Sequence, residues 1–334
     1  MRIVSFDDLT PGELAAWDRL RAANPALDSP YFHPGFAAAV HASGRGIEVA
    51  VHGDGEVLAL LPFQRDGAVA RPAGWPAADF QAPIRAPGTG FPAVEFLRAA
   101  RVRGLTFDHL LEQPDFDRWV RRRRPSPYLE VTGGLDGYLG RASRTAKENL
   151  SQARRRARRA ERELGEVVLT ADALDHALLD QVIELKRAQY AATGARDYFA
   201  DSRRADMLHK LLAARDPEFA GVLSAVHAGP HLLAAHFGLR SGGVLHWWFP
   251  VYDPAHARRS PGWILLRELI AAAPRTGVTR IDLGRGEDEY KRRAMTGQIM
   301  VCEGEVTTSP VRQARNALVS TTRTIARTIL GRGR

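Results

Sequence analysis

Residues 231–293 read HLLAAHFGLRSGGVLHWWFPVYDPAHARRSPGWILLRELIAAAPRTGVTRIDLGRGEDEYKRR. The pattern predicts two apolar strands that turn at Ser241-Gly242-Gly243, then a polar loop over 258–262 that opens an amphipathic helix. One more strand, over 278–284, leads to a charged segment ending at Arg293. A helix N-terminus offers N–H donors in a positive local field, so this loop is a favourable place to bind a phosphorylated ligand.

The bulk composition predicts a folded, two-domain chain. Its 334 residues, 45% of them hydrophobic, are enough for two domains with large cores. No apolar run is long enough to span a bilayer, and the first residues lack the pattern of a signal peptide. Cys302 is the single cysteine, which excludes an intramolecular disulfide. We therefore expect a cytoplasmic protein.

The net charge of +9 is carried almost entirely by arginine. Lysine occurs at only four positions: 147, 186, 210 and 291. An excess of positive charge favours an anionic partner. Nucleic acid, an anionic membrane and a phosphorylated ligand are all compatible with it. The preference for arginine over lysine is also typical of a GC-rich genome, so part of the charge has a mutational explanation.

Residues 1–132 read as a mixed α/β domain. A helix is predicted over 11–21, with Thr10 as its N-cap and proline at its first position. Gly53-Asp54-Gly55 predicts a hairpin between apolar runs at 47–52 and 56–65. The loop-rich stretch 71–90 contains Asp79 and Gln81, and long irregular loops are often functional.

Two basic segments have open interpretations. Residues 133–165 predict one long connecting helix with a dense basic face, which is either a solvated surface or an anion-binding helix beside the site. Residues 311–334 predict a basic amphipathic tail that either docks on the protein or contacts anionic lipid.

Residues 166–310 predict a second α/β domain, with the order β-α-α-β-β-β-α-β-α-β-β and two short closing strands near 298–303 and 305–308. A helix is expected over 172–193, with Leu174, Leu178, Val182 and Leu185 at helical spacing. Asp201 predicts the N-cap of the next helix. The helix of the opening stretch is expected over 262–273.

The loop over 258–262 has the chemistry of a phosphate site. Pro261 suits a first helical turn, and Gly262 lets a ligand approach the backbone closely. Arg258 and Arg259 supply charge-assisted hydrogen bonds to phosphate oxygens, with Ser260 between them and the helix.

The topology of residues 166–308, with this loop before its third helix, resembles the GNAT acyltransferase superfamily. Several motifs resemble the BioF2-like, CelD-type acetyltransferases linked to bacterial polysaccharide biosynthesis, which are relatives of the FemAB peptidyltransferases. The motifs are Ser29-Pro30-Tyr31-Phe32, Asp79-Phe80-Gln81-Ala82-Pro83, Lys147-Glu148-Asn149-Leu150, Tyr252-Asp253-Pro254, Ser260-Pro261-Gly262, Asp282-Leu283-Gly284 and Tyr290-Lys291-Arg292.

The resemblance implies a tandem GNAT-like fold of the α/β (α+β) class, with two mixed sheets flanked by helices and a cleft between them. Residues 1–132 are then a degenerate GNAT-like domain and residues 166–310 the domain that binds acetyl-CoA or another acyl-CoA. In the superfamily the fourth and fifth strands splay apart around the pantetheine arm. Here these are 244–251 and 278–284, so Phe249, Pro250 and Val251 are expected to border the thioester.

Acyl transfer needs a base that removes a proton from the acceptor, a donor to the oxyanion and an acid for the thiolate. His236 is the candidate base because imidazole titrates near neutral pH, and a satisfied strand histidine is the alternative. Tyr290 is the candidate acid, and packing is its alternative. Lys291 resembles a lysine that contacts an anionic acceptor in FemAB relatives, and a plain surface lysine is its alternative. Asp282 is placed to orient a donor or cap the next turn.

The acceptor is expected to meet Trp248 and Tyr252 in the C-terminal domain and Asp79 and Gln81 in the N-terminal domain, although the last two also suit bracing of their loop. The histidines lack a carboxylate partner in sequence, so no metal site is predicted.

The leading hypothesis is an acyl-CoA-dependent N- or O-acyltransferase acting on a sugar or sugar-linked acceptor in exopolysaccharide or cell-envelope biosynthesis. A FemAB-like aminoacyltransferase that uses charged tRNA is the second hypothesis. A non-catalytic binding protein that contacts the inner face of the cytoplasmic membrane through residues 311–334 is the third.

Overall fold

A computed structural model describes residues 1–286 and 288–309, so the predicted tail at 311–334 lies outside the described residues. The chain divides into two compact units. Unit 1 is Met1–Pro125 together with the described residues from Met300 onwards, and unit 2 is Ser126–Ile299. Each unit is described by itself.

The helices and strands of the two units follow in chain order. They are β1 (Arg2–Ser5), α1 (Pro11–Ala22), α2 (Pro34–Val40), β2 (Glu48–His52), β3 (Ala59–Asp66), β4 (Val69–Pro72), β5 (Ile84–Arg85), α3 (Ala93–Ala99), β6 (Gly104–Leu111), β7 (Val120–Glu130), α4 (Gly134–Arg141), α5 (Arg144–Leu164), β8 (Val167–Thr170), α6 (His176–Thr193), α7 (Ser202–Ala213), β9 (Phe219–Ala228), β10 (His231–Ser241), β11 (Val244–Tyr252), α8 (Pro261–Thr276), β12 (Arg280–Asp282), α9 (Glu289–Ala294) and β13 (Gly297–Thr307).

Unit 1 is a mixed sheet in the order β1-β2-β3-β4-β6-β13, with β5 paired to β3. The pair β4–β6 is parallel, and the other pairs are antiparallel. The predicted hairpin is confirmed, since β2 and β3 pair from His52–Ala59 outwards. Its core is aromatic, with Phe63 edge-on to Phe96 at 5.1 Å and Phe116 edge-on to Trp119 at 5.9 Å.

The first helix shows why unit 1 folds where the sequence predicts. The Thr10 side chain accepts a hydrogen bond from the Glu13 amide, and the Glu13 carboxylate accepts one from the Thr10 amide. This capping box satisfies two donors that a helix start leaves unpaired. The predicted helix and its N-cap are therefore confirmed.

The strands of unit 2 follow the order β7-β12-β11-β10-β9-β8 and are of mixed direction. The pair β11–β12 is parallel, and the remaining pairs are antiparallel. Gly242 and Gly243 form the two-residue turn between β10 and β11, as the opening stretch predicts. The predicted mixed α/β class is confirmed.

Helix α8 packs on the core of unit 2 through its apolar face, with Ile264, Leu265 and Ile270 buried. Helix α5 packs against α8. Its buried face is built largely from alanines, among them Ala146, Ala153 and Ala160, which recur every seventh residue. Because alanine has a short side chain, the two helices can approach closely.

Four boundary predictions need correction. The long basic helix is two helices, because Ser143 leaves the helical conformation and caps the Ala146 amide at the start of α5. Leu174 is exposed and precedes α6, which begins after its N-cap Asp175. The strand predicted at 278–284 is shortened to Arg280–Asp282, and the two closing strands are the single strand β13.

Within the described residues, none of the helices combines the length and the apolar character that crossing a membrane requires.

Candidate functional site

The pairing of β11 with β12 ends after the first three residues of β11. Three parallel pairs join the strands, and the last is His246 with Asp282. Strand β11 continues to Tyr252, whereas β12 ends at Asp282. Residues 247–252 therefore extend past the last β12 pair, in the place where the sequence predicts that the two strands splay apart.

The side chains of this extension differ in exposure. Phe249 and Val251 are buried, and Pro250 is half-buried. Phe249 packs against Tyr198 and Phe199, at centroid distances of 5.5 and 5.2 Å. The aromatic contacts fix the position of the backbone at residues 249–251, where the acyl group was predicted to lie.

The two aromatic residues proposed to meet an acceptor have opposite environments. Trp248 is buried, and its ring packs tilted against Phe249 at a centroid distance of 4.7 Å, so it has little surface left for a sugar. Tyr252 is 45% exposed at the end of β11. The structure therefore favours Tyr252 over Trp248 as an acceptor contact, while both assignments stay predictions.

The start of α8 is held by helix α5. The Arg156 guanidinium donates a hydrogen bond to the Ser260 hydroxyl, and Arg259 pairs with Glu163 at 2.6 Å. Arg258 is exposed, with no ion pair among the residues that the structure describes. Arg258 is thus more available to an anion than Arg259, whose charge is partly neutralised.

Gly262 lies in the first turn of α8, where a helix has amide groups without intrahelical acceptors. A Cβ added at this glycine would meet no atom within 4 Å, so the space beside the backbone is open. Open space at a helix N-terminus next to an available guanidinium fits a phosphate group. The residues of the predicted phosphate loop are therefore compatible with the phosphates of an acyl-CoA.

Two lysines lie at the ends of the splayed strands. The ammonium of Lys186, on α6, donates to the Pro250 carbonyl of β11 at 3.3 Å and to Gln189 Oε1 at 3.0 Å. The ammonium of Lys291, on α9, donates to the carbonyls of Arg285 at 3.0 Å and Gly284 at 3.3 Å, just after β12.

The environment of Lys186 is unusual for a lysine. Burial, and after it the positive charge of Lys291, lowers the pKa of Lys186 to about 8, although the carboxylate of Asp288 acts in the opposite direction. Lys291 is itself only 8% exposed, with Asp288 at 3.6 Å. Lys186 was not among the predicted site residues. Its one signal in the sequence is that lysine is rare in this chain.

His236, the predicted base, is fully buried. Its ring stacks on Trp247 at 4.3 Å, and its Nε2 lies 3.3 Å from the His246 carbonyl. Burial lowers the pKa of His236 to about 3, so the imidazole is neutral at physiological pH. Because its surface is completely covered, this environment favours the alternative of a core histidine.

Asp282 and Tyr290 have different positions. Asp282 is fully buried, and its carboxylate accepts two hydrogen bonds from the Arg280 guanidinium, at 2.9 and 3.2 Å. That geometry favours a role in bracing β12. Tyr290 is half-buried in the first turn of α9, one residue before Lys291. The acid role of Tyr290 stays a prediction.

Asp79 and Gln81 lie in unit 1. Gln81 is buried, and its side-chain oxygen accepts from the amides of Asp108 and His109, each at 3.1 Å. Its side-chain nitrogen donates to the Asp108 carboxylate at 2.9 Å. Asp79 pairs with His109 at 3.2 Å. These contacts favour bracing of the loop against β6, the alternative that the sequence left open.

Among the described residues, no cluster of three or more histidine, cysteine, aspartate or glutamate side chains has a geometry that could hold a metal ion.

Comparison with known proteins gives a domain match and a shared fold. Residues 147–292 match the family model described as the acetyltransferase (GNAT) domain. No curated protein matches the sequence. The fold is similar to that of FemX, with a TM-score of 0.62 and 11% identity over 95% of this chain and 100% of that chain.

Two further solved structures share the fold. The C-terminal domain of a protein described as a lysylphosphatidylglycerol synthetase from Agrobacterium fabrum has a TM-score of 0.55 and 12% identity, covering 92% of this chain and 96% of that chain. A tandem GNAT protein from the clavulanic acid biosynthesis pathway has a TM-score of 0.51 and 13% identity, covering 92% and 98%. At these identities the likeness concerns the fold.

The match over residues 147–292 supports an acyltransferase with a GNAT-type domain, and the solved structures share the fold. The match supports the superfamily that the sequence motifs predicted. The BioF2-like, CelD-type branch stays a prediction.

Proposed function

We propose that this protein is an acyl-CoA-dependent acyltransferase that acylates an amine or hydroxyl of a sugar or sugar-linked acceptor, in the cytoplasm, for envelope or exopolysaccharide synthesis. The observation that carries the proposal is in unit 2, where β11 continues past its last pair with β12. A parallel strand pair that ends early leaves a gap into which an extended acyl-carrying arm fits.

The donor site of the proposal uses residues of unit 2 only. The start of α8, with Gly262 and Arg258, binds the phosphates, and Phe249, Pro250 and Val251 border the acyl group. The bound donor supplies an activated acyl carbon. The roles of Tyr290 as acid and of Lys291 as a contact to the acceptor are part of the same proposal, as is the assignment of residues 1–132 and 166–310 to degenerate and donor-binding domains.

A second candidate is an aminoacyltransferase that uses charged tRNA. The observation in its favour is the surface of α5, where Arg154, Arg158 and Arg162 are exposed and have no ion pair among the residues described. Exposed guanidinium groups along one helix suit a polyphosphate backbone. The fold shared with a protein named for lysylphosphatidylglycerol synthesis is compatible with this candidate.

Isothermal calorimetry with acetyl-CoA, and with lysyl-tRNA at matched ionic strength, separates the candidates. We expect acetyl-CoA to bind in the micromolar range. Arg258→Ala is expected to weaken this binding about 10-fold or more, because a charge-assisted hydrogen bond to phosphate contributes about 1.5–3 kcal/mol. The matched control is Arg103→Ala, which removes an exposed arginine from unit 1.

Three results would count against the leading proposal. Absence of acetyl-CoA binding at high micromolar concentration, with saturable binding of lysyl-tRNA, favours the second candidate. If Arg103→Ala weakens acetyl-CoA binding as much as Arg258→Ala does, the effect of Arg258 reflects the net charge of the protein and not a phosphate site at the start of α8. If neither donor binds and the protein sediments with anionic vesicles, the non-catalytic membrane-binding hypothesis is favoured.

A further inference from the structure

Two of the four lysines of this chain face the end of β11 and the end of β12 in unit 2. Lys186 contacts the carbonyl of Pro250, one of the residues proposed to border the acyl group. Lys291 contacts the carbonyl of Gly284, just beyond β12. The two ammonium groups are electrostatic neighbours, since the positive charge of Lys291 contributes to the lowered pKa of Lys186.

Two of the three N–H groups of the Lys186 ammonium have a hydrogen-bond acceptor in the structure. An ammonium has three N–H donors, and the structure provides two acceptors, Gln189 Oε1 at 3.0 Å and the Pro250 carbonyl at 3.3 Å. Neither acceptor is charged, and Lys186 has no ion pair within the described part of the chain. A neutral amine keeps both hydrogen bonds and has its lone pair at the third position.

The charged and titratable groups around Lys186 are few. Lys291 lowers its pKa and Asp288 raises it, while β11 contributes the uncharged Pro250 carbonyl. On its own helix, the Tyr190 ring lies 5.6 Å from the Lys186 ammonium. Burial raises the pKa of Tyr190 to about 12, so this phenol stays neutral near pH 8 and does not stabilise the lysine charge as a phenolate.

We propose that Lys186 is the general base of the acyl transfer and that Lys291 is a positioning residue, whose fixed charge keeps Lys186 available as a neutral amine beside Pro250. This inference rests on the proposed function and assigns the base that His236 is too buried to provide. A lysine can serve as a general base when burial and a neighbouring cation lower its pKa towards the pH at which the enzyme works.

The proton and electron balance of the step is complete. Lys186 Nζ takes the proton from the acceptor amine or hydroxyl as that nitrogen or oxygen forms a bond to the acyl carbon. The bond between the acyl carbon and the thioester sulfur breaks, and its electron pair leaves on sulfur. Tyr290, the acid of the proposed function, donates its proton to the thiolate. After the products leave, the Lys186 ammonium loses its proton to solvent and the Tyr290 phenolate regains one, which restores both groups.

The test measures the titration of each lysine by trace labelling with acetic anhydride between pH 6 and 11, followed by mass spectrometry of the peptides. We expect Lys186 to become reactive at a lower pH than the exposed Lys147 and Lys210, which are internal references. The protein carries no ligand in this experiment, so the result is independent of any donor or acceptor.

Variants of the neighbouring charges give opposite expected shifts. Lys291→Met removes the neighbouring positive charge and is expected to move the labelling curve of Lys186 to higher pH. Lys291→Arg retains that charge, so the labelling curve of Lys186 is expected to stay unchanged. Asp288→Asn changes an exposed side chain and is expected to move the curve to lower pH. This last variant tests the coupling even if the buried Lys291→Met does not fold.

Kinetics then test the base role, with thiol release from acetyl-CoA and glucosamine as the probe acceptor. Lys186→Gln is expected to lower kcat about 100-fold or more, with unchanged acetyl-CoA binding by calorimetry. In the native protein kcat is expected to rise with pH through the labelling midpoint of Lys186. If Lys186 labels in step with Lys147 and Lys210, or if Asp288→Asn leaves its curve in place, the inference is overturned whether or not acetyl-CoA binds.

Discussion

Among the single residues, two buried polar side chains in the core of unit 2 have different partners. His236 and Asp282 are both fully buried, yet they are stabilised differently. Asp282 keeps an Arg280 guanidinium as its partner. His236 has an unpartnered Nδ1 and a stacked indole, so burial favours its neutral form.

The buried His236 should make folding sensitive to acid. Its ordinary pKa is 6.5 and its folded pKa is about 3, so below pH 6.5 the unfolded chain binds a proton that the folded chain does not. Stability is then lost as pH falls from 6.5 towards 3, by about 1.4 kcal/mol per pH unit from this one group. His236→Phe keeps an aromatic ring on Trp247, and urea unfolding at pH 7.5, 6.0 and 5.0 should show a shallower loss of stability.

The matched control for this prediction is Trp247→Phe, which changes the stacking partner and keeps the histidine. It is expected to lower stability at every pH and to retain the native pH dependence. Equal slopes for the native protein and His236→Phe would show that His236 is protonated in the folded state.

Gly238 shows how tightly the same region is packed. It lies at a bulge between Phe237 and Leu239, where the register of β10 on β11 shifts. A Cβ at this position would come within 2.2 Å of the His246 carbonyl oxygen and 2.4 Å of His236 Nε2. Only glycine allows this approach of the backbone to the histidine.

For the helices and strands, local signals in the sequence predicted where an element starts better than how far it extends. Thr10 and Asp201 both cap the helices that they were expected to cap, because side-chain capping acts over two or three residues. The break at Ser143 was missed, since basic residues at helical spacing continue on both sides of it. A serine inside a charged run is equally compatible with an exposed helical position and with an N-cap.

Helix α5 determines the position of the α8 N-terminus, and we expect overpacking between them to affect donor binding. Ala153 is buried on the face of α5 within the core of unit 2. Ala153→Leu inserts three carbon atoms there and should cost about 1–3 kcal/mol of stability. Because Arg156 and Glu163 connect α5 to the 258–262 loop, the same variant should weaken acetyl-CoA binding.

Urea unfolding and calorimetry measure the two effects of Ala153→Leu. The control is Gln152→Leu, which introduces leucine at the exposed neighbouring position. It should change neither the free energy of unfolding nor the affinity for acetyl-CoA appreciably. Loss of stability with native acetyl-CoA affinity would mean that the position of α8 does not depend on α5.

At the scale of the whole molecule, the order of elements was predictable and the lysine pair was not. Alternating strands and helices, glycine turns and capping residues are local patterns, and they lead directly to the mixed α/β class. Lys186 and Lys291 belong to α6 and α9, which are separated in sequence by α7 and by strands β9 to β12. Their proximity depends on tertiary packing, so the sequence indicates Lys291 only through the family resemblance and gives no sign that Lys186 lies near it.

Each unit has a hydrophobic core of its own, aromatic in unit 1 and mainly aliphatic in unit 2. We therefore expect donor binding to stabilise one unit locally. With saturating acetyl-CoA, amide hydrogen exchange should slow at residues 247–252 and at the start of α8, because a ligand that binds the native state suppresses local opening. Residues 104–111 of β6, in unit 1, are the reference segment and should exchange at the same rate. Protection confined to β6, or protection spread evenly over both units, would contradict a donor site at the splay of β11 and β12.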